Sequence, residues 1–325
     1  MKKILLVLLA FIVIAAALFL LRTPDTDPEE MRAKYTNNAS QFAASDDGKL
    51  VVHYRDQGVR SGIPIVLLHG TASSLHTWEP LVALLGDEYR IISLTLPGHG
   101  LTGPHPDDDY TFEGMAQAVD LVVEKLRLPN FVLGGNSMGG WVTWRYALKY
   151  PERVDALVLL DAWGMPLREG EEAPPQNLGF RLLQNPIGRF LLEQFTPRPL
   201  VKKSALQTVA VKDVIDDDAV DRYWELLRLP GNRRARAIAA ITDRTLAASA
   251  LVSEIDAPTL IIWGAEDQLI YASAAQTFDE RMPNADVVIY KGVGHLPMEE
   301  APQRTALDLD AFLERTVKSD RARAM

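Results

Sequence analysis

Seven short runs rich in β-branched and other apolar residues recur along the chain, at 50–54, 65–68, 90–96, 131–133, 156–160, 259–263 and 286–290, with helix-compatible stretches between them. Several are apolar at nearly every position, as strands buried on both faces are, and strands alternating with helices signal a parallel sheet built from βαβ units. The fold class that follows is α/β, a mostly parallel central sheet flanked by helices. The runs at 50–54 and 65–68 can instead pair as an antiparallel hairpin. A chain of 325 residues suits one large domain carrying an insertion. The insertion falls at 164–253, where the alternation stops: helical segments at 219–229 and 235–250 follow one another without a strand, and seven prolines between 166 and 230 mark turns. The expected organisation is a core of 46–163 and 254–318 interrupted by a helical lid.

The first residues obey different rules. After Met1, Lys2 and Lys3, residues 4–21 form an uninterrupted apolar run of 18 residues, near the minimum of about 17 needed to span a bilayer core. A cleaved signal peptide usually has an apolar stretch of about 7–15 residues ending at a small-residue site. The alanines at 15–17 offer such a site, but the run continues through 18–21, so residues 1–22 are expected to be an uncleaved transmembrane signal anchor, with secretion after cleavage as the alternative. Lys2 and Lys3 place the N-terminus in the cytoplasm and the remaining domain in the periplasm or another extracytoplasmic space, although Arg22, Arg32 and Lys34 dilute that bias. Residues 23–45, polar and without apolar periodicity, read as a juxtamembrane linker.

Charge and cysteine content exclude several functions. A net charge of -9 opposes a polyanionic partner, because nucleic-acid affinity comes mainly from Lys and Arg displacing counterions at phosphates; the Arg233, Arg234, Arg236 cluster reads as a solvated helix face. The absence of cysteine removes disulfides, thiolate metal sites and Cys nucleophiles.

The local chemistry centres on Gly135-Asn136-Ser137-Met138-Gly139, set between an apolar strand and a helix-compatible stretch that ends before Pro151. G-x-S-x-G in that context is a nucleophile elbow: small neighbours let the serine adopt a strained backbone and project its Oγ. A serine hydroxyl is a weak nucleophile at neutral pH and needs a base held by an acid. Asp267 follows the strand at 259–263, and His295 follows the strand at 286–290. Both stand just past strand C-termini, where catalytic groups gather in parallel sheets, in the order Ser, Asp, His. Asp161, past the strand at 156–160, is the alternative acid. His69 and His99 read as packing or backbone-bonding residues, and His53, His76 and His105 show no partner pattern. Acyl transfer also needs oxyanion donors: the backbone N–H of Met138 and that of Thr71, in the His69-Gly70-Thr71-Ala72 loop, are the candidates, with Ala72 second to Thr71.

Leu67-Leu68-His69-Gly70, Leu96-Pro97-Gly98-His99-Gly100, Gly135-Asn136-Ser137-Met138-Gly139-Gly140 and Gly294-His295 together resemble the α/β-hydrolase fold family over residues 51–313. Relatives often carry Asp where Thr95 stands. The resemblance implies a serine esterase or lipase with catalytic Ser137, Asp267 and His295, requiring no cofactor and no metal. The layout is also similar to membrane-anchored monoacylglycerol lipases. The expected substrate is a small-molecule ester with an apolar acyl or aromatic group, suggested by apolar lid residues such as Phe180, Phe190 and Phe195; these residues serve equally well as the lid's own core. A second reading is a carbon–carbon bond hydrolase of ring-cleavage products, whose members generally carry Trp after the catalytic histidine, where this chain has Leu296. A third is a non-catalytic ligand-binding homologue, which the intact Ser137, Asp267 and His295 set opposes.

Overall fold

The computed structural model describes residues 22–175, 178–242 and 246–319. The segment expected to be a signal anchor lies, but for Arg22, outside them. Among the described residues no helix is long and apolar enough to cross a membrane.

Eight strands form one sheet: β1 Ser40–Ala44, β2 Val51–Gly58, β3 Pro64–Leu68, β4 Arg90–Leu94, β5 Phe131–Asn136, β6 Val154–Leu160, β7 Thr259–Gly264 and β8 Ala285–Tyr290. Their spatial order is β1-β2-β4-β3-β5-β6-β7-β8. β1 and β2 pair antiparallel, as do β2 and β4, and every pairing from β4 through β3 to β8 is parallel. Successive strand residues feed opposite faces. Val66 and Leu68 join the core under the helices Phe112–Lys125, Met138–Lys149 and Ser273–Arg281, whereas Ile65 and Leu67 join the one under Glu79–Leu85 and Pro302–Leu313. β5 and β7 are buried at every residue, which fits central strands covered on both sides. Between β6 and β7 the described residues are helical and irregular, with helices Leu178–Leu183, Pro186–Gln194, Arg198–Thr208, Asp217–Leu227 and Asn232–Ala239.

Two expectations need correction. The run at 50–54 does not pair with the run at 65–68: β2 bonds β1 and β4, because the parallel β3–β4 pair leaves the outer edge of β4 open to it. Nor is 23–45 a linker. Asp27 caps a helix, Pro28–Tyr35, by accepting the Glu29 and Glu30 N–H groups, each at 2.9 Å, with Pro28 at the first helical position. Met31 and Tyr35 from that helix pack with Leu226 and Leu229 of the lid, and Ser40–Ala44 supplies the edge strand β1. Two buried apolar residues in an eight-residue helix are too few to show as periodicity, yet they suffice when a partner surface waits.

Candidate active site

Ser137 sits between β5 and the helix Met138–Lys149 with φ 55 and ψ -115, a backbone conformation that side chains rarely adopt. Its neighbours make the turn sterically feasible. A Cβ on Gly139 would stand 2.1 Å from the Leu68 carbonyl oxygen, and one on Gly135 would stand 2.4 Å from Gly139. The turn is held by its backbone: the Ser137 N–H donates to Leu160 O at 3.0 Å, and Ser137 O accepts from both Trp141 and Trp163 N–H at 3.0 Å.

His295 and Asp267 meet at the C-terminal edge of the sheet. His295 Nδ1 lies 2.7 Å from Asp267 Oδ2, both residues being buried. Asp267 Oδ1 accepts the Leu269 N–H at 2.7 Å and the Ile270 N–H at 3.2 Å. Three donors thus converge on one carboxylate and orient it. With Nδ1 engaged, Nε2 is the ring nitrogen left for proton transfer.

Asp161 stands beside this pair. An oxygen of Asp161, an oxygen of Asp267 and a ring nitrogen of His295 lie within 4.8 Å of one another. Asp161 Oδ1 accepts the Gly264 N–H at 2.9 Å, while the buried Oδ2 has no hydrogen-bond partner among the described residues. Burial, and then the Asp267 charge, push the Asp161 carboxyl well above the usual carboxylate range, which favours its protonated form. The geometry therefore gives His295 to Asp267 and not to Asp161. The carboxylate cluster of Glu88, Asp310 and Glu314 is filled by Lys318, which pairs with Glu88 and Glu314.

The loop after β3 passes over Ser137: a Cβ on Gly70 would stand 2.7 Å from Asn136 Oδ1 and 3.1 Å from Ser137 Cβ. Its turn closes through Ser73 N–H to Gly70 O at 3.2 Å, which leaves Thr71 N–H out of the turn bond. Met138 is the first residue of its helix, where N–H groups lack acceptors within the helix and the dipole favours negative charge. The His69 ring fastens that loop to the next one. Its Nε2 accepts the Leu96 N–H at 3.0 Å and its Nδ1 donates to Gly70 O at 2.7 Å, while burial lowers its pKa to about 4. Thr95, where relatives often carry Asp, accepts the Leu75 N–H on its hydroxyl at 3.3 Å and so ties the same two loops. His99 Nδ1 lies 3.0 Å from Pro97 O, a backbone partner, and the other three histidines have partners that the sequence did not disclose: His53 with Ser40, His76 with Ser74 and Arg55, His105 with Gln117.

Two residues escaped the sequence reading. Asn136 Nδ2 donates to Leu160 O at 3.1 Å and to His295 O at 2.9 Å, pinning the histidine loop to the end of β5, next to Ser137. A lone amide in a fully buried strand was the signal. Glu300 accepts the Gly294 and Leu296 N–H groups together with those of Ala210 and Val211, and His295 N–H donates to Thr208 O at 2.8 Å. The lid segment after helix Arg198–Thr208 is thereby sewn to the His295 loop. A cavity of about 240 Å³ lined by Leu167, Arg168, Glu280 and Arg281 touches none of Ser137, Asp267 and His295.

Comparison with known proteins gives a consistent picture. A family model described as alpha/beta hydrolase fold matches residues 63–302. Lipase 3 of Moraxella sp. (strain TA144) is 28% identical over 292 residues, 86% of each chain. The crystal structure of Cfl2 from Burkholderia cenocepacia superposes with a TM-score of 0.74 at 24% identity, covering 84% of this chain and 95% of that one. A meta-cleavage product hydrolase from Pseudomonas fluorescens IP01 superposes with a TM-score of 0.70 at 21% identity, covering 85% and 97%.

Proposed function

The chain belongs to the alpha/beta hydrolase fold family, and from that premise we propose that it is a serine hydrolase of carboxylic esters, acting through an acyl-enzyme on Ser137. The observation that carries the reading is the buried His295–Asp267 pair at 2.7 Å, with its loop tied by Asn136 to the end of β5 just before Ser137. In this mechanism Ser137 Oγ attacks the ester carbonyl carbon as its proton passes to His295 Nε2, and Asp267 holds Nδ1–H and stabilises the imidazolium. The tetrahedral oxyanion receives the Thr71 and Met138 N–H groups. Collapse expels the alcohol, which takes the proton from His295. Water, deprotonated by the same ring, then releases the acid and restores Ser137. The kinship with a protein named as a lipase supports an ester substrate with an apolar acyl group.

Residues 4–21, an unbroken apolar run behind Lys2 and Lys3, support a membrane anchor with the catalytic domain outside the cytoplasm. Fractionation of full-length protein into membranes tests this, and soluble protein beginning after Ala17 would mean cleavage instead.

A fluorophosphonate probe should label the full chain and fail on Ser137→Ala; no labelling of folded wild-type protein overturns the serine mechanism. A panel of p-nitrophenyl esters from acetate to palmitate, run beside a ring-cleavage dienone, tests the bond cleaved. Turnover of the dienone alone would transfer the assignment to carbon–carbon hydrolysis, which Leu296 after the histidine argues against.

A further inference from the structure

The helix Pro186–Gln194 leaves one side without protein against it among the described residues. Ile187, Phe190 and Leu191 are 73%, 61% and 41% exposed, and their i, i+3, i+4 spacing places them on a single face. Leu178, on the preceding helix Leu178–Leu183, is 49% exposed as well. The orientation of the face is set by packing on the other side. Gly188 is buried there, so close to the Leu182 carbonyl that a Cβ would stand 2.1 Å from its oxygen. Single exposed apolar residues are ordinary, but a cluster of large ones marks a surface that meets something apolar.

The chain itself indicates what that is. The Thr23 N–H donates to the carbonyl of Gln194, the last residue of the exposed helix, at 2.8 Å. Thr196 N–H donates to Thr23 Oγ1 at 3.0 Å and Arg233 Nη1 donates to Thr23 O at 2.8 Å. Thr23 is therefore clamped at the C-terminal end of the apolar face. The apolar run 4–21 ends two residues earlier, no more than about 7.6 Å of chain away at 3.8 Å per Cα step. A chain that leaves a membrane at residue 21 is thus delivered beside Ile187, Phe190 and Leu191.

We propose that the Pro186–Gln194 face docks on the lipid bilayer that holds residues 4–21, lying in its interfacial plane beside the anchor as an amphipathic helix does. This rests on the reading of 4–21 as a membrane anchor. It deepens the ester-hydrolase reading by naming the source of substrate, a lipid ester taken from that bilayer. Only Phe195, Thr196 and Pro197 separate the docked helix from Arg198–Thr208, whose last carbonyl accepts the His295 N–H. The exposed helix is thus followed directly by the helix whose C-terminal end is hydrogen-bonded to the histidine loop.

The chain has no cysteine, so single-cysteine variants of the full-length protein can carry an environment-sensitive NBD label. Ile187→Cys and Phe190→Cys test the face, and Leu307→Cys, 70% exposed on helix Pro302–Leu313, is the control. The proteins are reconstituted in phosphatidylcholine/phosphatidylglycerol vesicles with or without doxyl-labelled lipid. Docking gives blue-shifted emission and quenching of about twofold or more at 187 and 190, and almost none at 307. Vesicle-bound protein with unquenched labels at 187 and 190 overturns the proposal. Labels that are shielded yet unquenched show instead that the face is covered by the chain's own N-terminal run or by a second copy, and equal quenching at 307 shows unspecific contact; either result also overturns it. Failure of the full chain to float with vesicles removes the anchor and the docking together. Fluorophosphonate labelling of the same samples reports separately on Ser137.

Discussion

Replacing Asp161 by Asn takes away one of the two carboxyls beside His295 while keeping its shape. The Gly264 N–H at 2.9 Å retains an oxygen acceptor, and the position occupied by the unpartnered Oδ2 receives an amide nitrogen of nearly the same size. Because burial and the Asp267 charge push the Asp161 carboxyl well above the usual carboxylate range and so favour its protonated form, the substitution should change little charge beside His295, and kcat/KM should stay within about threefold of wild type. Asp267→Asn is the opposite case. It removes the charge that faces the imidazolium and sets an amide against Nδ1–H across a 2.7 Å contact. The expected loss is about 10³–10⁴ in kcat, or roughly 4–5.5 kcal/mol of transition-state stabilisation. Stability separates the two as well. A carboxyl whose folded pKa is raised contributes fully below its unfolded value of about 3.9 and loses that contribution as pH rises toward the folded value, by up to about 1.4 kcal/mol per pH unit. Asp161→Asn should therefore gain stability over wild type as pH is raised from about 4, read by urea unfolding between pH 4 and 8. The assay pairs hydrolysis of p-nitrophenyl butyrate with those unfolding curves. A loss above about a hundredfold in Asp161→Asn, or near-wild-type turnover in Asp267→Asn, would refute the assignment of acid and of protonation state.

Gly139→Ala should prevent the elbow from forming, because its Cβ would meet the Leu68 and His69 carbonyl oxygens at 2.1 and 2.7 Å and neither is a side-chain end that can turn away; a loss of about 3 kcal/mol or insolubility is expected, and a soluble, fluorophosphonate-reactive variant would contradict the packing. Arg55→Met removes a nearly buried guanidinium that bonds Tyr35 O at 3.0 Å, Ser40 Oγ at 3.2 Å and Glu79; it should cost about 2–4 kcal/mol and raise hydrogen exchange first over residues 28–44, whereas a uniform change would argue against that anchoring role. Burial, the first cause in each case, lowers His53 and His76 to about 3 and His69 to about 4. The unfolded chain takes up protons below about 6.5 that the folded one refuses, so urea stability should fall as pH drops from about 6.5 toward 4, and a flat profile would mean these rings are not buried neutral.

Much of the site was legible because its rules are local. Glycine at 135 and 139 around Ser137 is demanded by a turn only a few residues long, and Asp267 and His295 follow apolar runs that declare themselves as strands within five or six residues. Where the governing contacts are distant in sequence, the reading stopped short. Asn136 looks like a mere neighbour of Ser137 until its amide is seen on His295 O, and Glu300 looks like a helix-terminal acid until it collects N–H groups from the lid and the histidine loop. The helix at 28–35 was missed for the same reason: Met31 and Tyr35 gain a partner only when Leu226 and Leu229 are brought over them.

The sequence by itself determined that a buried parallel sheet would form and that a strained serine would stand past the end of one strand with an aspartate and a histidine past the ends of two others. Backbone sterics and strand burial act over a handful of residues, so they are written in consecutive letters. Only the tertiary structure decided which carboxylate holds His295, since Asp161 and Asp267 occupy equivalent strand ends and differ in how many donors each meets. It also decided that residues 23–45 are part of the fold, and that Thr23 sits at the end of an exposed apolar helix more than 160 residues away in the chain. Such choices are made by packing between distant segments, where the free energy belongs to the pair and not to either segment alone.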